Sequence, residues 1–589
     1  MSFIDFESLN FVFKEIIKQK KNYVFFLIVI FLLALFETTI VGSILPIIEY
    51  IKDPESINKL FDFFKKFNIN FRENSYQNLF FIGLIVLFTF TFLLQFLSVY
   101  FSFILRETAN YSWRKQIVSN YLNNVKLSYF EKEKKGDLIQ KTLVHSAESC
   151  SGIYTLSIIT RDLLILTFIY KYLLNISAKF TIFFSIFFII IIFFIIIITK
   201  LIIGSLTVKR NKNLSLIYSQ LSNIIDGIRV IKLNFKELFF HNKFNLPAKE
   251  FANKEIKLQT LVNFPAIFIK YIFLVFLAVS IFNFSKYLSN SSILIIYIYA
   301  GYKIIGIFGN INNSLLDLRR ISESIKIIKK QINLNQNEIK NSLNIDYKKI
   351  DKKITLQNLD YGHESRSKLI LDSLEFSIKK SSINLLVGPS GVGKTTLLDI
   401  LIGIKKPLRG DLLINDEMFD LTKSNNHLFK GFSYMSQFDY IFPDTFENNI
   451  TFYSEKKIEL YENLIRMMNL ESLRDKFEAN ETNMQEEGSN LSGGQIQRII
   501  LARTLYSSNN LIILDEPLTN VEKSLEEKII KNLFNFVKLN NKTLVMTSHS
   551  KTGFDLSDNI IIIEDSKNIV NGSHEELIAK NEYYKKNYS

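Results

Sequence analysis

A glycine-rich stretch in the second half of the chain has the composition of a loop that binds phosphate groups. Residues 388–396 read GPSGVGKTT; they follow an apolar run, 383–387, that predicts a β-strand, and they precede LLDILIG, which predicts a helix. In that context glycines let backbone N–H groups close on phosphates, a lysine reaches the β- and γ-phosphates, and a threonine hydroxyl binds Mg²⁺. We therefore expect a nucleotide-binding loop that consists of Gly388, Pro389, Ser390, Gly391, Val392, Gly393, Lys394, Thr395 and Thr396.

Two carboxylates follow another apolar run further along the chain. The segment LIILDEP ends a predicted buried strand at Asp515 and Glu516. Carboxylates in this position are suited to hold a metal ion and to activate a water molecule. Acidic residues after an apolar strand are common, so the pair alone is a weak signal, and its meaning depends on the phosphate-binding loop.

The segment LSGGQIQR, residues 491–498, lies between these two motifs and resembles the signature of ATP-binding cassette (ABC) proteins. The other elements of that family occur here in the same order. Gln437 in YMSQFDYIF matches the family's Q-loop, and His549 in TLVMTSHS matches its switch histidine. A lone histidine is more often an ordinary surface or core residue, but the position of His549 after an apolar strand and after Glu516 favours the functional role.

The resemblance implies how ATP and Mg²⁺ would bind and how the chain would assemble. In this family each ATP is held between one chain's phosphate-binding loop, with Lys394, and the other chain's signature, so a homodimer is expected. Glu516 would be the general base, His549 would hold the γ-phosphate and the attacking water, and Gln437 would sense Mg²⁺ and the membrane domain. The expected metal ligands are Thr395, Gln437 and Asp515. The expected signature residues of the nucleotide site are Ser492, Gly493, Gly494 and Gln495.

Two positions depart from the family pattern. The aromatic residue that stacks on adenine falls on His363 in LDYGHES, with Tyr361 as the preceding aromatic. Imidazole can stack on a base with a smaller face, so nucleotide affinity or its pH response is expected to differ. The family's S-A-L-D loop reads TNVE here, and Glu522 carries one methylene more than the usual aspartate. Both positions are therefore candidates for altered nucleotide binding or altered communication across the dimer.

The first half of the chain is much more apolar than these motifs. Six long apolar segments lie at about 23–51, 79–105, 153–174, 180–204, 264–284 and 293–311. Crossing a bilayer as a helix takes about 20 apolar residues, which each segment supplies. The first segment is too long for a signal-peptide core and lacks a small-residue cleavage pattern, so we interpret it as a retained span. The single cysteine, Cys150, excludes an internal disulfide framework.

A change of pattern divides the chain after the sixth segment. A helical stretch, 315–330, leads into a polar, Asn-rich segment, and from about residue 349 short β-branched runs (ITLQNL, INLLVG, LIILDE, TLVMTS, NIIIIED) alternate with helical stretches. Such alternation predicts a mostly parallel α/β sheet. The expected organisation is an all-α polytopic membrane domain with six transmembrane helices (1–320), a linker (321–348) and an α/β P-loop ATPase domain (349–589).

The net charge of +14 fits either nucleic-acid binding or basic cytoplasmic loops, and the apolar segments favour the loops, so no nucleic-acid partner is expected. Basic stretches after the second and fourth segments, and lysines near the N-terminus, indicate that these loops and the N-terminus lie in the cytoplasm. We expect a multi-pass protein of a bacterial inner (cytoplasmic) membrane whose ATPase domain is also cytoplasmic. Residues 126–141 and 221–235 resemble the two coupling segments of exporters, although they could be plain helical extensions. Residues 52–78 predict an amphipathic helix at the outer membrane surface, with an ordinary polar connector as the alternative.

Ionisable residues in or near the apolar segments suggest what is transported. Glu37, Arg161, Lys270 and Lys303 lie there, and such groups usually face a bundle interior or a water-filled cavity. For Lys270 and Lys303 snorkelling to the interface is an equal alternative. Three cations against one carboxylate favour a substrate path for an anionic head group such as a phosphate or pyrophosphate.

Six spans before one ATPase domain resemble an exporter-type half-transporter. The stretch ALFETTIVGSILPIIEYI also resembles the first span and external helix of bacterial flippases for lipid-linked oligosaccharides. The resemblance implies ATP-driven export or flipping of an anionic amphiphile, such as a lipid-linked oligosaccharide or a related glycolipid. A multidrug or lipid A-type exporter has the same architecture, and a peptide exporter, which often carries an N-terminal protease domain, is a further alternative. An ATP-gated membrane regulator or channel is the alternative from another class.

Overall fold

A computed structural model of the chain forms two compact units, which are Met1–Asn123 with Lys134–Leu334, and Asn124–Glu133 with Asn335–Ser589. The residues that the structure describes are 6–54, 56, 76–125, 129–130, 133, 135–179, 181–182, 185–186, 206, 209–210, 212–214, 216–284, 291–334, 345–346, 353–362, 369–414, 417–422, 429–437, 439–507, 509–548 and 551–588.

The first unit is built from long helices. They are α1 (Phe6–Lys18), α2 (Lys20–Lys52), α3 (Tyr76–Asn123), α4 (Lys135–Ile176), α5 (Ile228–Leu233), α6 (Glu237–Phe284) and α7 (Ser291–Ile332). Long apolar runs favour helices because a helix satisfies all of its backbone polar groups internally, which a bilayer demands. Among the described residues, three helical stretches are long and apolar enough to cross a membrane: Lys20–Lys52, Gln77–Asn123 and Lys135–Ile176.

Most of the predicted apolar segments lie within these helices. The first, second, third, fifth and sixth segments fall in α2, α3, α4, α6 and α7, whereas the fourth, 180–204, lies almost entirely outside the described residues. Most of the predicted amphipathic segment at 52–78 lies outside them as well. Helix α7 continues to Ile332, so residues 321–332, which the sequence assigns to the linker, are helical. The helical stretch predicted at 315–330 lies within α7.

Two groups of buried apolar residues hold the first unit together. One, which we call the Leu33 cluster, combines Leu33 of α2 with Ile169 of α4 and Tyr297 of α7. The other combines Trp113 of α3, which is fully buried, with Ile153 of α4 and apolar residues of α7. Each cluster joins several helices, so the long helices pack against one another in two separate apolar clusters.

The second unit contains two main sheets with helices packed around them. Its strands are β1 (Ile345–Asp346), β2 (Lys353–Tyr361), β3 (Leu371–Lys379), β4 (Ile383–Val387), β5 (Arg409–Ile414), β6 (Glu417–Asp420), β7 (Phe429–Lys430), β8 (Phe432–Met435), β9 (Leu511–Leu514), β10 (Thr543–Thr547), β11 (Asn559–Ile563) and β12 (Ile569–Gly572). Its helices are α8 (Lys394–Leu401), α9 (Phe446–Thr451), α10 (Ile458–Met467), α11 (Glu471–Ala479), α12 (Gly493–Tyr506), α13 (Lys523–Leu539), α14 (His574–Lys580) and α15 (Glu582–Tyr588).

The larger sheet has the strand order β12-β11-β4-β10-β9-β8 and is parallel except for β12. This confirms the predicted fold class, a helical membrane domain followed by an α/β domain. The sequence prediction is wrong for ITLQNL, which we expected in the parallel sheet. It forms β2 at the centre of a separate antiparallel sheet with the order β3-β2-β5-β6. An apolar strand pattern does not reveal which sheet the strand joins.

The order of the parallel strands determines where the motifs meet. Strand β10 pairs with β4 on one side and with β9 on the other. The carboxyl ends of neighbouring parallel strands share one edge of the sheet, where α/β proteins bind ligands. The phosphate-binding loop follows β4, and the two carboxylates follow β9, so both motifs lie at this edge.

Candidate functional site

The phosphate-binding loop connects β4 to α8 with two glycines in left-handed backbone conformations. Gly391 has φ +79° and Gly393 has φ +109°, values that glycine adopts at little cost. The ammonium of Lys394 crosses the loop and donates hydrogen bonds to the carbonyls of Gly388 at 2.9 Å and Pro389 at 3.0 Å. Burial lowers the pKa of Lys394, whereas Glu516 and Asp515 raise it. The loop therefore holds a cation beside exposed backbone at Ser390 and Gly391.

Gly388 offers a test of how tightly this loop is packed against the sheet. A Cβ atom at Gly388 would lie 2.3 Å from the carbonyl oxygen of Ile563. Because that neighbour is backbone, Gly388→Ala should displace the loop from β11 and lower the free energy of unfolding by about 2 kcal/mol, with loss of ATP binding. Thermal unfolding and binding of a fluorescent ATP analogue measure both effects. Gly391→Ala is the control, because nothing lies within 4 Å of its Cβ and only about 1 kcal/mol of conformational cost is expected.

A threonine that the sequence did not mark contacts both residues after β9, Asp515 through its carboxylate and Glu516 through its backbone N–H. The hydroxyl of Thr547, at the end of β10, donates to Asp515 Oδ1 at 2.7 Å and accepts from the backbone N–H of Glu516 at 2.7 Å. Glu516 has φ +49°, a left-handed conformation that is uncommon for a residue with a side chain. Such strain persists where the surroundings fix the residue, and it is concentrated at functional sites. The end of β10 thus holds the carboxylate of Asp515 and the backbone of Glu516.

The surroundings of Asp515 suit a divalent cation. Asp515 is 1% exposed, and its Oδ2 atom has no hydrogen-bond partner among the described residues. Burial raises the pKa of Asp515 above its ordinary value despite the nearby Thr547 and Thr395 side chains. Gln437 donates from its amide to Glu516 Oε2 at 3.1 Å. Oxygen atoms of a carboxylate, a hydroxyl and an amide are the ligands that Mg²⁺ takes, so Asp515, Thr395 and Gln437 fit the metal site that the sequence predicts.

The raised pKa of Asp515 has a consequence for stability. A buried acid with a raised pKa stabilises the fold in its neutral form, and this contribution is lost as the pH rises above about 4, the ordinary pKa of aspartic acid. Without nucleotide and Mg²⁺, Asp515→Asn should therefore be at least as stable as the wild type at pH 7, with the difference shrinking toward pH 4. Thermal unfolding over this pH range measures it. Mg²⁺-dependent ATP hydrolysis should fall at least about 100-fold in the same variant.

The signature segment forms the beginning of α12. Ser492 is its N-cap; the Ser492 hydroxyl accepts from the N–H of Gln495 at 3.3 Å, and the Gln495 side chain accepts from the N–H of Ser492 at 2.8 Å. This capping box leaves the N–H groups of Gly493 and Gly494 at the positive end of the helix dipole, which favours anions. A Cβ at Gly494 would lie 2.7 Å from the carbonyl oxygen of Asn520, so glycine is required there.

A second connection from α12 reaches the TNVE loop. Gln497 donates to the hydroxyl of Thr519 at 2.8 Å and accepts from the N–H of Asn520 at 2.9 Å. Glu522 is exposed, begins α13 as its N-cap and accepts a hydrogen bond from Ser524 at 2.9 Å. The additional methylene of Glu522 therefore disturbs nothing in the packing of the unit. Tyr361 ends β2 half-buried, whereas His363 and His549 lie outside the described residues.

Two of the four ionisable residues predicted for the substrate path contact each other. Lys303 of α7 donates a hydrogen bond to Glu37 Oε2 of α2, and Gln95 of α3 donates to Glu37 Oε1 at 2.6 Å. Arg161 instead pairs with its neighbour Asp162 at 2.8 Å. Lys270 is exposed. Gln95 and Asp162 were not among the predicted residues, although each is a charged or amide side chain inside an apolar run and could have been found by that signal.

Two family models match the sequence. One described as ABC transporter transmembrane region matches residues 22–305, and one described as ABC transporter matches residues 371–519. The second range contains the phosphate-binding loop, the signature segment and the two carboxylates. The two models thus cover both the helical unit and the nucleotide site.

Several curated proteins are similar to parts of the chain. A lactococcin transport/processing ATP-binding protein of Lactococcus lactis subsp. lactis (strain IL1403) is 34% identical over 224 residues, which are 37% of this chain and 30% of that protein. A putative export ATP-binding/permease protein of Rickettsia bellii (strain RML369-C) is 28% identical over 49% of this chain and 50% of its own length. The heterocyst differentiation ATP-binding protein of Nostoc sp. (strain PCC 7120) is 24% identical over 79% of this chain and 76% of that protein. The chain thus spans 30% to 50% of the length of the first relatives that it matches.

One solved structure resembles almost the whole chain. It is described as the structure of a bacterial Atm1-family ABC exporter with ATP bound, and it superimposes with a TM-score of 0.75 at 16% sequence identity. The match covers 96% of this chain and 98% of that chain. At this level of identity the likeness shows a shared fold, with helical and nucleotide-binding parts in the same order.

Proposed function

The chain belongs to the ABC transporters, whose family models match residues 22–305 and 371–519, and from this we propose that it couples ATP hydrolysis to the export or flipping of an anionic amphiphile. It is a multi-pass membrane protein of the half-transporter type, with one membrane domain and one ATPase domain. We further propose that it works as a homodimer in a bacterial inner membrane, with the N-terminus and the ATPase domain in the cytoplasm.

The proposed reaction follows from the residues at the carboxyl edge of the parallel sheet. The phosphates of ATP bind along the loop at 388–396, where Lys394 and the backbone N–H groups neutralise their charge. Glu516, held by Gln437 and by the hydroxyl of Thr547, accepts a proton from the water that attacks the γ-phosphate. Mg²⁺, when bound to Thr395, Gln437 and Asp515, would neutralise the charge that develops on the phosphates. His549 would hold the γ-phosphate and the water, as the family resemblance implies.

One observation carries the proposal of ATP hydrolysis: Glu516 is fixed by a strained backbone and two hydrogen bonds beside the buried Asp515. A carboxylate with only a structural role does not need this arrangement. The signature of α12 would complete the site in the proposed homodimer, where Ser492, Gly493 and Gly494 of one protomer would contact the γ-phosphate bound to its partner and Gln495 would lie beside them in the nucleotide site. ATP binding would then close the dimer, and hydrolysis would reopen it.

The substrate class rests on the charges of the membrane unit. Lys303, Arg161 and Lys270 supply cations in or near the apolar segments, which favours an amphiphile with a phosphate or pyrophosphate head group, such as a lipid-linked oligosaccharide or a related glycolipid. A peptide is the second candidate, because the lactococcin transport/processing protein is among the relatives. Relatives named as glutathione/L-cysteine and multidrug proteins keep other exported classes in consideration.

Stimulation of ATP hydrolysis by substrate tests this proposal. The full-length protein in lipid nanodiscs is supplied with an isoprenyl pyrophosphate, the matching neutral isoprenol, a cationic amphiphile or a hydrophobic peptide. We expect the pyrophosphate to raise the ATPase rate most. A rate raised only by the peptide would make the chain a peptide exporter, and a rate raised equally by all four would contradict selection of an anion.

A further inference from the structure

Glu37 and Lys303 form a polar pair within an apolar cluster, and Gln95, which is exposed, contacts Glu37 from a third helix. Leu33 and Val41, one turn on either side of Glu37 on α2, belong to the Leu33 cluster, and so does Ile307, one turn after Lys303 on α7. The side chain of Glu37 is 7% exposed and that of Lys303 is 21% exposed. Charges in such surroundings are costly unless they are paired. The ion pair is therefore what compensates the two charges inside the helix bundle.

The two partners of this ion pair are held unequally. Glu37 keeps a second hydrogen bond, from the amide of Gln95 at 2.6 Å, so it stays fixed when the lysine moves. Glu37 is the only hydrogen-bond acceptor of the Lys303 ammonium among the described residues; in addition, the ring of Tyr299 lies 5.6 Å from this ammonium. An ammonium on a four-carbon stem has three donors and wide reach. Lys303 is therefore the partner that can turn to another anion.

Of the two other basic candidates, Lys270 is exposed, and Arg161 is bound within its own helix. Arg161 pairs with the adjacent Asp162, which is 2% exposed. Because the two residues are neighbours in sequence, this pair belongs to one helix and cannot be separated by a movement of helices. The Glu37–Lys303 pair, by contrast, joins α2 to α7. Of these two pairs, only the Glu37–Lys303 pair can open when two helices shift or when an anion competes for the ammonium.

We propose that Lys303 binds the anionic head group of the transported amphiphile and that Glu37 forms an ion pair with Lys303 when no substrate is bound. This assignment rests on the proposed function and deepens it by naming the residue that selects an anion. A phosphate or pyrophosphate carries more negative charge than one carboxylate, so it competes for the ammonium, while Gln95 retains Glu37. When the substrate leaves, Glu37 pairs with Lys303 again and no cation remains uncompensated in the apolar core.

Dose–response curves of ATPase stimulation test the assignment. The full-length protein in nanodiscs is titrated with farnesyl pyrophosphate and with farnesol. The ATPase rate of each variant is divided by the rate of the same variant before either compound is added. Glu37→Gln removes the competitor, so we expect the half-stimulating concentration of farnesyl pyrophosphate to fall about tenfold, whereas Lys303→Gln should raise it about tenfold or more. Lys303→Arg should restore most of the response. Lys171→Gln is the control, because Lys171 also lies in a predicted span but is exposed.

A double variant separates binding from folding. Glu37→Gln with Lys303→Gln leaves no unpaired charge in the core, so the chain should fold, as thermal unfolding will show, yet respond no better to farnesyl pyrophosphate than to farnesol. If the double variant keeps the wild-type response, or if Glu37→Gln weakens the response as Lys303→Gln does, the pair is a structural lock and the assignment is wrong. If the wild type does not prefer farnesyl pyrophosphate, the anionic substrate class of the proposed function fails, and the assignment fails with it.

Discussion

Replacing Glu516 with glutamine should lower the rate of ATP hydrolysis at least about 100-fold while ATP still binds, because removal of a general base costs about 10²- to 10⁴-fold. Glutamine keeps the size and the hydrogen-bonding capacity of the side chain, and the contact of the Glu516 backbone N–H with Thr547 does not involve the carboxylate. The binding site therefore stays intact, and only proton acceptance is lost. Phosphate release and binding of labelled ATP by the purified, full-length protein measure the two effects separately.

Glu527→Gln is the matched control for this substitution. Glu527 is an exposed carboxylate on α13, after the same strand and in the same unit. Its loss should change the hydrolysis rate less than about twofold, since surface substitutions have small effects. If the Glu516→Gln variant hydrolysed ATP at the same rate as the Glu527→Gln variant, another group would have to accept the proton.

The second large effect concerns the assembly of the site from two protomers. Lys394→Ala removes the cation of the phosphate-binding loop, and Gly493→Asp places a carboxylate at the start of α12. Acidic residues are favoured in the first turn of a helix, so Gly493→Asp should fold. A Cβ at Gly493 meets Asn520 no closer than 3.5 Å, which leaves room for it. The carboxylate should nevertheless repel the γ-phosphate of ATP.

Mixed dimers show whether the loop and the signature of one site come from different chains. When one protomer carries both substitutions and its partner is wild type, each of the two shared sites contains one defect, and hydrolysis should fall at least about 100-fold. When the substitutions are divided between the two protomers, both defects fall in one site and the other site is intact. Two differently tagged copies, purified in tandem, provide these dimers. Equal rates in the two arrangements, or a higher rate with both substitutions in one protomer, would contradict a shared site.

The parts of the candidate nucleotide site could be recognised in the sequence because they are short local motifs. The loop at 388–396, the carboxylates Asp515 and Glu516 and the signature at 491–498 each carry their residues within a few positions. The parallel sheet then brings these motifs to one edge. The role of Thr547 was not predictable, since one hydroxyl that binds both the Asp515 carboxylate and the Glu516 backbone N–H depends on the pairing of β9 with β10.

The membrane unit was less predictable for a physical reason. Hydropathy finds apolar stretches but gives neither the rotation of a helix nor its neighbours, so Glu37 and Lys303 were recognised as unusual without being paired. Their contact depends on the packing of α2, α3 and α7, as the part played by Gln95 shows. The helical stretch at 315–330 was recognised from the sequence, and it lies in α7, which continues to Ile332.

The central claim, ATP-driven movement of an anionic amphiphile, is tested most directly by flipping in proteoliposomes. A fluorescent polyisoprenyl-pyrophosphate oligosaccharide is incorporated into vesicles with the full-length protein, and a quencher that does not cross the membrane reports which leaflet holds the label. We expect ATP to move the label between leaflets with wild-type protein and to have no effect with Glu516→Gln. Movement by the Glu516→Gln variant at the wild-type rate would contradict transport driven by ATP hydrolysis.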